Sequence, residues 1–129
     1  MTKKFRLRTF GVVACSLLLG LAAIGCGIIG GSTTVKIGLL SPQTGPIAVY
    51  APGFEDAASV AIAQLNEAND DYEFELIVAN SGCDATQAAT SAQSLVDSGV
   101  SGIVGAACSG ATMSAISVAQ AAGIPMVSY

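Results

Sequence analysis

Apolar and polar positions along residues 35–129 form a pattern that predicts four strands separated by three helices. Short apolar runs occupy residues 35–40, 102–106 and 124–128, and apolar side chains alternate along residues 72–79, as is typical of strands. Between these runs the apolar side chains recur at helical spacing. They predict one helix over about residues 53–68, a second between Asp84 and Gly99, and a third from Ser109 to about Ala122.

Turn and cap residues support these boundaries. Asp84 is followed three residues later by Gln87, which resembles a capping box at the start of the second helix. Gly99 is placed as the residue that ends this helix, and Gly123 ends the third. Ser109 is predicted to cap the third helix at its start.

Alternating strands and helices predict an α/β fold, an open parallel sheet with right-handed crossovers and helices on both faces. In such a sheet, ligands bind at the carboxyl ends of the strands. Here those ends are the loops that begin at Ser41, Asn80 and Ala107, together with the end of the chain. Because the sequence stops on the fourth strand, we expect it to be a fragment of a longer protein.

The N-terminal residues have the pattern of an export signal. A basic head is followed by an uncharged apolar stretch from Thr9 to Gly25, and this stretch ends in Ala23-Ile24-Gly25-Cys26. Small residues before a cysteine resemble a lipobox, so we predict a lipoprotein signal peptide over residues 1–25 and lipidation of Cys26. Cys15 is a poorer candidate, since little apolar sequence precedes it. The alternative is an uncleaved membrane anchor, because the uncharged run continues to Val35.

The net charge of the chain limits the classes of partner that we expect. Beyond the signal, one base (Lys36) and nine acids give a net side-chain charge of −8. A nucleic-acid partner is not expected for so acidic a chain, and its membrane link would be the lipid on Cys26. Residues 26–34 are predicted to be a flexible tether. The sequence contains no His and no dinucleotide or phosphate-loop motif, so we predict no metal site and no cofactor.

Three stretches resemble a known family. They are Gly-Pro-Ile-Ala-Val-Tyr at residues 45–50 with the helix start that follows, Asn-Ser-Gly-Cys-Asp at residues 80–84, and Ala-Cys-Ser-Gly-Ala-Thr at residues 107–112. Their order and spacing resemble the branched-chain amino-acid binding proteins, type I periplasmic binding proteins that feed ABC importers. This resemblance implies two lobes that close over a ligand, with residues 35–129 forming the N-terminal part of lobe one.

The resemblance implies a function and a set of site residues. The expected function is an extracytoplasmic solute-binding lipoprotein, not an enzyme, which captures branched-chain amino acids or related small carboxylates and amides for a permease. The protein would sit in the periplasm or at the cell surface. Ser109 matches the position that holds the ligand carboxylate, and Tyr50 an aromatic residue beside the ligand side chain. Ala107 and Thr112 flank the carboxylate site.

A disulfide between Cys83 and Cys108 is also implied by the resemblance. It would suit an oxidising compartment. If the strand order is 2-1-3-4, however, the first strand lies between the two strands that carry these cysteines. The loops would then have to converge above that strand to bring the cysteines within bonding distance.

Two other functions remain open from the sequence. Residues 106–110 fit a strand-to-helix elbow with Cys108 as nucleophile, as in the class I glutamine amidotransferase and DJ-1-like enzymes. The absence of His and the export signal count against this enzyme. A ligand-sensing receptor domain of the same two-lobe fold is the other alternative.

Overall fold

A computed structural model of the protein describes residues 32–129. The predicted signal peptide over residues 1–25, the lipidated Cys26, the alternative Cys15 and most of the predicted tether lie outside these residues. Within the described part of the chain, no helix has the length and apolar character needed to cross a membrane.

Strands and helices alternate in the predicted order. Strand β1 (Thr33–Ser41) is followed by a short 3₁₀ turn (Ala48–Tyr50) and helix α1 (Ala51–Glu67). Next come β2 (Tyr72–Asn80), α2 (Ala85–Asp97), β3 (Gly102–Val104), α3 (Ser109–Ala121) and β4 (Met126–Val127).

The four strands form one parallel sheet in the order β2-β1-β3-β4. Leu39 of β1 is paired with Val78 on one side and Val104 on the other. Helices α2 and α3 pack against each other and against Leu40, while α1 packs on β1 and β2. Since successive residues of a strand face opposite sides, Leu40 lies under α2 and α3, and Leu39 lies on the side of α1. The predicted fold class is confirmed.

The core lies between the sheet and the α2–α3 pair. Its largest fully buried side chains are Leu40, Leu95 and Ile103. The helices contribute mainly alanines, at positions 88, 92, 111, 115 and 119. Small side chains on the facing surfaces allow the two helices to approach the sheet and each other closely.

Several predicted boundaries were wrong by a few residues. Strand β1 begins at Thr33, which is paired with Tyr72, so the end of the predicted tether is part of the sheet. Strand β3 ends at Val104 because Gly105, at φ +110°, turns the backbone out of the strand direction. The 3₁₀ turn before α1 was not predicted.

The predicted cap of the third helix was also wrong. Cys108, with extended backbone angles of φ −106° and ψ 131°, is the N-cap residue of α3, and Ser109 is the first helical residue. The carbonyl of Cys108 accepts the first helical hydrogen bond, from the Thr112 N–H at 2.8 Å. By contrast, Asp84 caps α2 as predicted, since its carboxylate accepts the Gln87 N–H at 2.8 Å.

We expect Lys36→Met to lower the free energy of unfolding by about 0.5–1 kcal/mol. The Lys36 ammonium donates to the carbonyl of Ser98, the C-cap of α2, at 3.2 Å. A cation there complements the negative end of the helix dipole. Urea unfolding of the two proteins measures the difference, which 1 M salt should reduce. Lys36→Arg is the control and should stay within experimental error, whereas an equal loss in Lys36→Arg would contradict this account.

Candidate functional site

The candidate site lies at the carboxyl edge of the sheet, where the loops after β1, β2 and β3 meet. All the strands are parallel, so these loops emerge at one edge. The loop after β1 carries Tyr50, the loop after β2 carries Cys83, and the loop after β3 leads into Ser109. The structure therefore places the predicted site residues at one edge of the sheet.

The N-terminus of α3 provides an anion-binding geometry. Ser109 and Gly110 are exposed in the first turn, and a Cβ built on Gly110 would meet no atom within 4 Å. The first N–H groups of a helix have no partner inside the helix and lie at its positive end. Together with the Ser109 hydroxyl, they can hold a carboxylate.

Ala107 and Thr112 are placed differently from Ser109. Ala107 is half-buried in the loop before α3. The Thr112 hydroxyl donates to the carbonyl of Ala106 at 2.7 Å, so its proton is used inside the protein. This bond fixes the first turn of α3 to the loop that precedes it, and it favours a supporting role for Thr112.

Tyr50 lies in the 3₁₀ turn that leads into α1. Its side chain is 61% exposed, and that of its neighbour Val49 is 79% exposed. Large apolar side chains so exposed at a candidate cleft are available to contact a ligand or another part of the protein. The structure places Tyr50 at the carboxyl edge, and its role beside a ligand stays a prediction.

Cys83 and Cys108 form a disulfide, with their Cα atoms 5.2 Å apart. The strand order places β1 between β2 and β3, so the loops do converge above β1. Cys83 has a φ of +55° directly after Gly82 at +60°, and this left-handed pair of residues turns the loop toward α3. A nucleophilic role for Cys108 needs a free thiolate, which the disulfide removes.

Asn80, the last residue of β2, was missed as a site residue by the sequence analysis. Its side-chain oxygen accepts the N–H groups of Gly82 at 2.9 Å and Thr44 at 3.2 Å, and its amide donates to the Thr44 hydroxyl at 2.8 Å. An Asn at a strand end, two residues before Gly82, was a signal for a local turn. The contact with Thr44, 36 residues away, had no signal in the sequence.

A second set of contacts at the same edge involves Tyr129. Its hydroxyl donates to the carbonyl of Leu40 at 3.2 Å, and its ring lies 4.5 Å from the ring of Phe54. Partial burial, and then the negative charge of Glu55, raise the pKa of the Tyr129 phenol above its usual value. Glu55 itself accepts a hydrogen bond from the Gln43 side chain at 3.1 Å. These contacts join the end of β4 to α1 above β1.

The sequence of the described residues matches a known family. The family model described as "Periplasmic binding protein" matches residues 34–129, nearly all of the described chain. The chain belongs to this family.

Curated relatives of this periplasmic binding protein are named for the amino acids they bind. The leucine-, isoleucine-, valine-, threonine- and alanine-binding protein of Pseudomonas aeruginosa is 34% identical over 96 residues, which are 73% of this chain and 26% of the relative. The Leu/Ile/Val/Thr-binding protein of Salmonella typhimurium is 28% identical over 115 residues, 87% of this chain and 31% of the relative. The chain thus spans between a quarter and a third of these relatives.

Solved structures show the same fold. A branched-chain amino acid transporter substrate binding protein from Streptococcus pneumoniae, in complex with isoleucine, aligns with a TM-score of 0.69 and 33% identity over 74% of this chain and 28% of its own. A solute binding protein of an ABC transporter from Rhodopseudomonas palustris BisB5, in complex with 3,4-dihydroxy benzoic acid, aligns with a TM-score of 0.66 and 25% identity. That alignment covers 74% of this chain and 26% of the other.

Proposed function

We propose that this chain supplies the carboxylate-binding part of an extracytoplasmic solute-binding protein, which captures a branched-chain amino acid or a related small carboxylate for an ABC importer. The observation that carries the proposal is the N-terminus of α3, where Ser109 and Gly110 are exposed at the carboxyl edge of the sheet. The relatives named above, which are binding proteins and not enzymes, support it.

The proposed mechanism is capture without chemistry. The ligand carboxylate accepts hydrogen bonds from the first N–H groups of α3 and from the Ser109 hydroxyl, and the helix dipole favours its negative charge. Tyr50 borders the rest of the ligand. A second lobe then closes over the bound molecule, and the permease recognises the closed state.

A carboxylate is the chemistry shared by the ligands of the two solved structures. Isoleucine and 3,4-dihydroxy benzoic acid differ in their side groups, but both carry this group. Lobe one would therefore fix the carboxylate. The choice among ligands would depend on Tyr50 and on residues outside this chain.

Export and lipidation belong to the same proposal. Cleavage after Gly25 and lipid on Cys26 would tether the binding protein to a membrane next to its permease. The intact mass of the protein made in its own host tests this step, because a lipidated mature chain begins at Cys26 and carries the added mass of the lipid. A protein that keeps residues 1–25 would contradict lipidation and leave the membrane anchor in its place.

Two substitutions at Ser109 distinguish the contribution of its hydroxyl to ligand affinity from that of its backbone N–H. Ser109→Ala removes only the hydroxyl and should weaken binding of L-leucine or L-isoleucine about tenfold. Ser109→Pro also removes the N–H and should weaken it about a hundredfold. Proline suits the first position of a helix, and the extended Cys108 before it is compatible with proline, so α3 should remain folded.

Calorimetry on the full-length protein measures these affinities. Ser117→Ala is the matched control, because the Ser117 hydroxyl donates to the carbonyl of Met113 on the same helix, away from its N-terminus. Its affinity should equal that of the wild type. If Ser109→Pro binds L-leucine or L-isoleucine as tightly as the wild type does, the proposed carboxylate site is contradicted. Binding of neither amino acids nor aromatic acids by the wild-type protein would contradict the proposed function as a whole.

A further inference from the structure

One amide side chain connects the loop that carries Tyr50 to the loop of Cys83, which is bonded to the residue before Ser109. Asn80 lies at the end of β2, and its side chain makes hydrogen bonds both to its own loop, at Gly82, and to the loop after β1, at Thr44. Its main-chain carbonyl accepts the Ser91 hydroxyl of α2 at 2.6 Å. The main chain of Asn80 is thereby bound to α2, while its side chain binds the loops after β1 and β2.

The first connection leads to Tyr50. Thr44 is bound to Asn80 through its N–H and its hydroxyl, and Gly45 follows directly. The carbonyl of Gly45 accepts the Ala48 N–H at 3.2 Å, and this bond begins the 3₁₀ turn that presents Tyr50. A Cβ on Gly45, which has a φ of +92°, would collide with the Gly82 carbonyl, so the two loops are in direct backbone contact.

The second connection leads to Ser109. Asn80 accepts the Gly82 N–H, and the left-handed Gly82–Cys83 pair directs the Cys83 sulfur to Cys108. Cys108 is the N-cap residue of α3, so it directly precedes Ser109. The disulfide therefore transmits the position of the Asn80 turn to the first N–H groups of α3.

We infer that Asn80 is a positioning residue, which fixes the loop of Tyr50 and the N-terminus of α3 relative to each other before a ligand arrives. The inference rests on the proposed function, because it requires that the ligand contacts both Tyr50 and the N-terminus of α3. A site held in its binding geometry loses less conformational entropy on binding, and this raises affinity without any contact between Asn80 and the ligand.

Two substitutions test the role of the Asn80 side chain. Asn80→Ala removes all three of its hydrogen bonds. Asn80→Asp keeps an oxygen that can accept the N–H groups of Gly82 and Thr44, and the Thr44 hydroxyl can turn to donate to the second oxygen. Asn80→Asp should therefore rescue what Asn80→Ala loses.

Asn66→Ala is the matched control. Asn66 also bridges two elements, since its side chain donates to the Phe74 carbonyl at 2.9 Å and accepts the Phe74 N–H at 2.7 Å. These bonds join α1 to β2 near the opposite end of the helix from Tyr50. Loss of Asn66 should lower stability in a similar way without changing the carboxyl edge.

The experiment has two measurements on the full-length protein. Amide hydrogen exchange without ligand should be faster at residues 43–50 and 105–112 in Asn80→Ala, but unchanged there in Asn66→Ala and nearly unchanged in Asn80→Asp. Calorimetry with L-leucine and L-isoleucine should show about tenfold weaker binding in Asn80→Ala alone.

The outcomes distinguish the positioning role from the proposed function. If Asn80→Ala exchanges at both segments as slowly as Asn66→Ala does, the inference is overturned, whatever the affinities are. Faster exchange with unchanged affinity also overturns it. If the wild-type protein binds none of the amino acids tested, the proposed function fails, and the exchange measurement alone decides whether Asn80 positions the loops.

Discussion

Replacing both Cys83 and Cys108 by serine should lower the free energy of unfolding by about 3–4 kcal/mol. The disulfide closes a sequence separation of 25 residues, and the open chain regains the entropy of that loop when it unfolds. The bond also joins the loop after β2 to the N-cap of α3 above β1. We therefore expect faster amide exchange at residues 105–112 in the double variant even under native conditions.

Urea unfolding of the oxidised protein and of the variant measures this difference. A reductant serves as the internal control, because it should bring the wild-type protein to the stability of the variant and leave the variant unchanged. A double variant within about 1 kcal/mol of the wild type would contradict the expected contribution of the disulfide. Cys108 as an enzymatic nucleophile would be supported instead if the native protein reacted quickly with an alkylating agent before reduction.

Leu95→Ala should lower the free energy of unfolding by about 2–5 kcal/mol. Leu95 on α2 is 1% exposed and lies at the centre of the core cluster. Its side chain fills the space over Gly38 on β1, where a built Cβ would lie 2.8 Å from a Leu95 methyl carbon. Gly38→Ala alone should therefore also destabilise the protein, by about 1–3 kcal/mol, because the core would be overpacked.

The two substitutions together should be less harmful than the sum of their separate effects. In the Leu95→Ala background the methyl group that Gly38→Ala adds has room and refills part of the cavity, so the pair is coupled. Urea unfolding of the wild type, both single variants and the double variant gives this coupling energy. Strict additivity would mean that Leu95 does not occupy the space over Gly38.

At the carboxyl edge, side-chain hydrogen bonds and the disulfide join the loops to one another and to the strand ends. Asn80 holds the loop after β1, and the disulfide holds the start of α3. Tyr129, which follows β4, is joined to the end of β1 by its hydrogen bond to the Leu40 carbonyl. In the proposed function this arrangement would favour binding, because a half-site formed before the ligand arrives reduces the entropy lost on binding.

The sequence was sufficient for features that depend on short stretches of chain. The order of strands and helices follows from apolar periodicity, and the cap at Asp84 and the helix ends at Gly99 and Gly123 follow from local backbone preferences. The family was also identifiable, because three loop motifs keep their order and spacing. The exact start of α3 was predicted wrongly, because serine is a preferred N-cap residue and the sequence therefore favours Ser109, whereas the backbone angles place the cap at Cys108.

Only the tertiary structure decided which distant residues meet at the site. The order β2-β1-β3-β4 brings the Cys83 and Cys108 loops together above β1, a convergence that the sequence left as a difficulty. Asn80 reaches Thr44 across 36 residues, and Tyr129 reaches Leu40 across 89. Periodicity and capping act within a few residues, so the sequence determines the elements and their ends. Contacts between loops depend on which strands are neighbours, and only the assembled sheet fixes that.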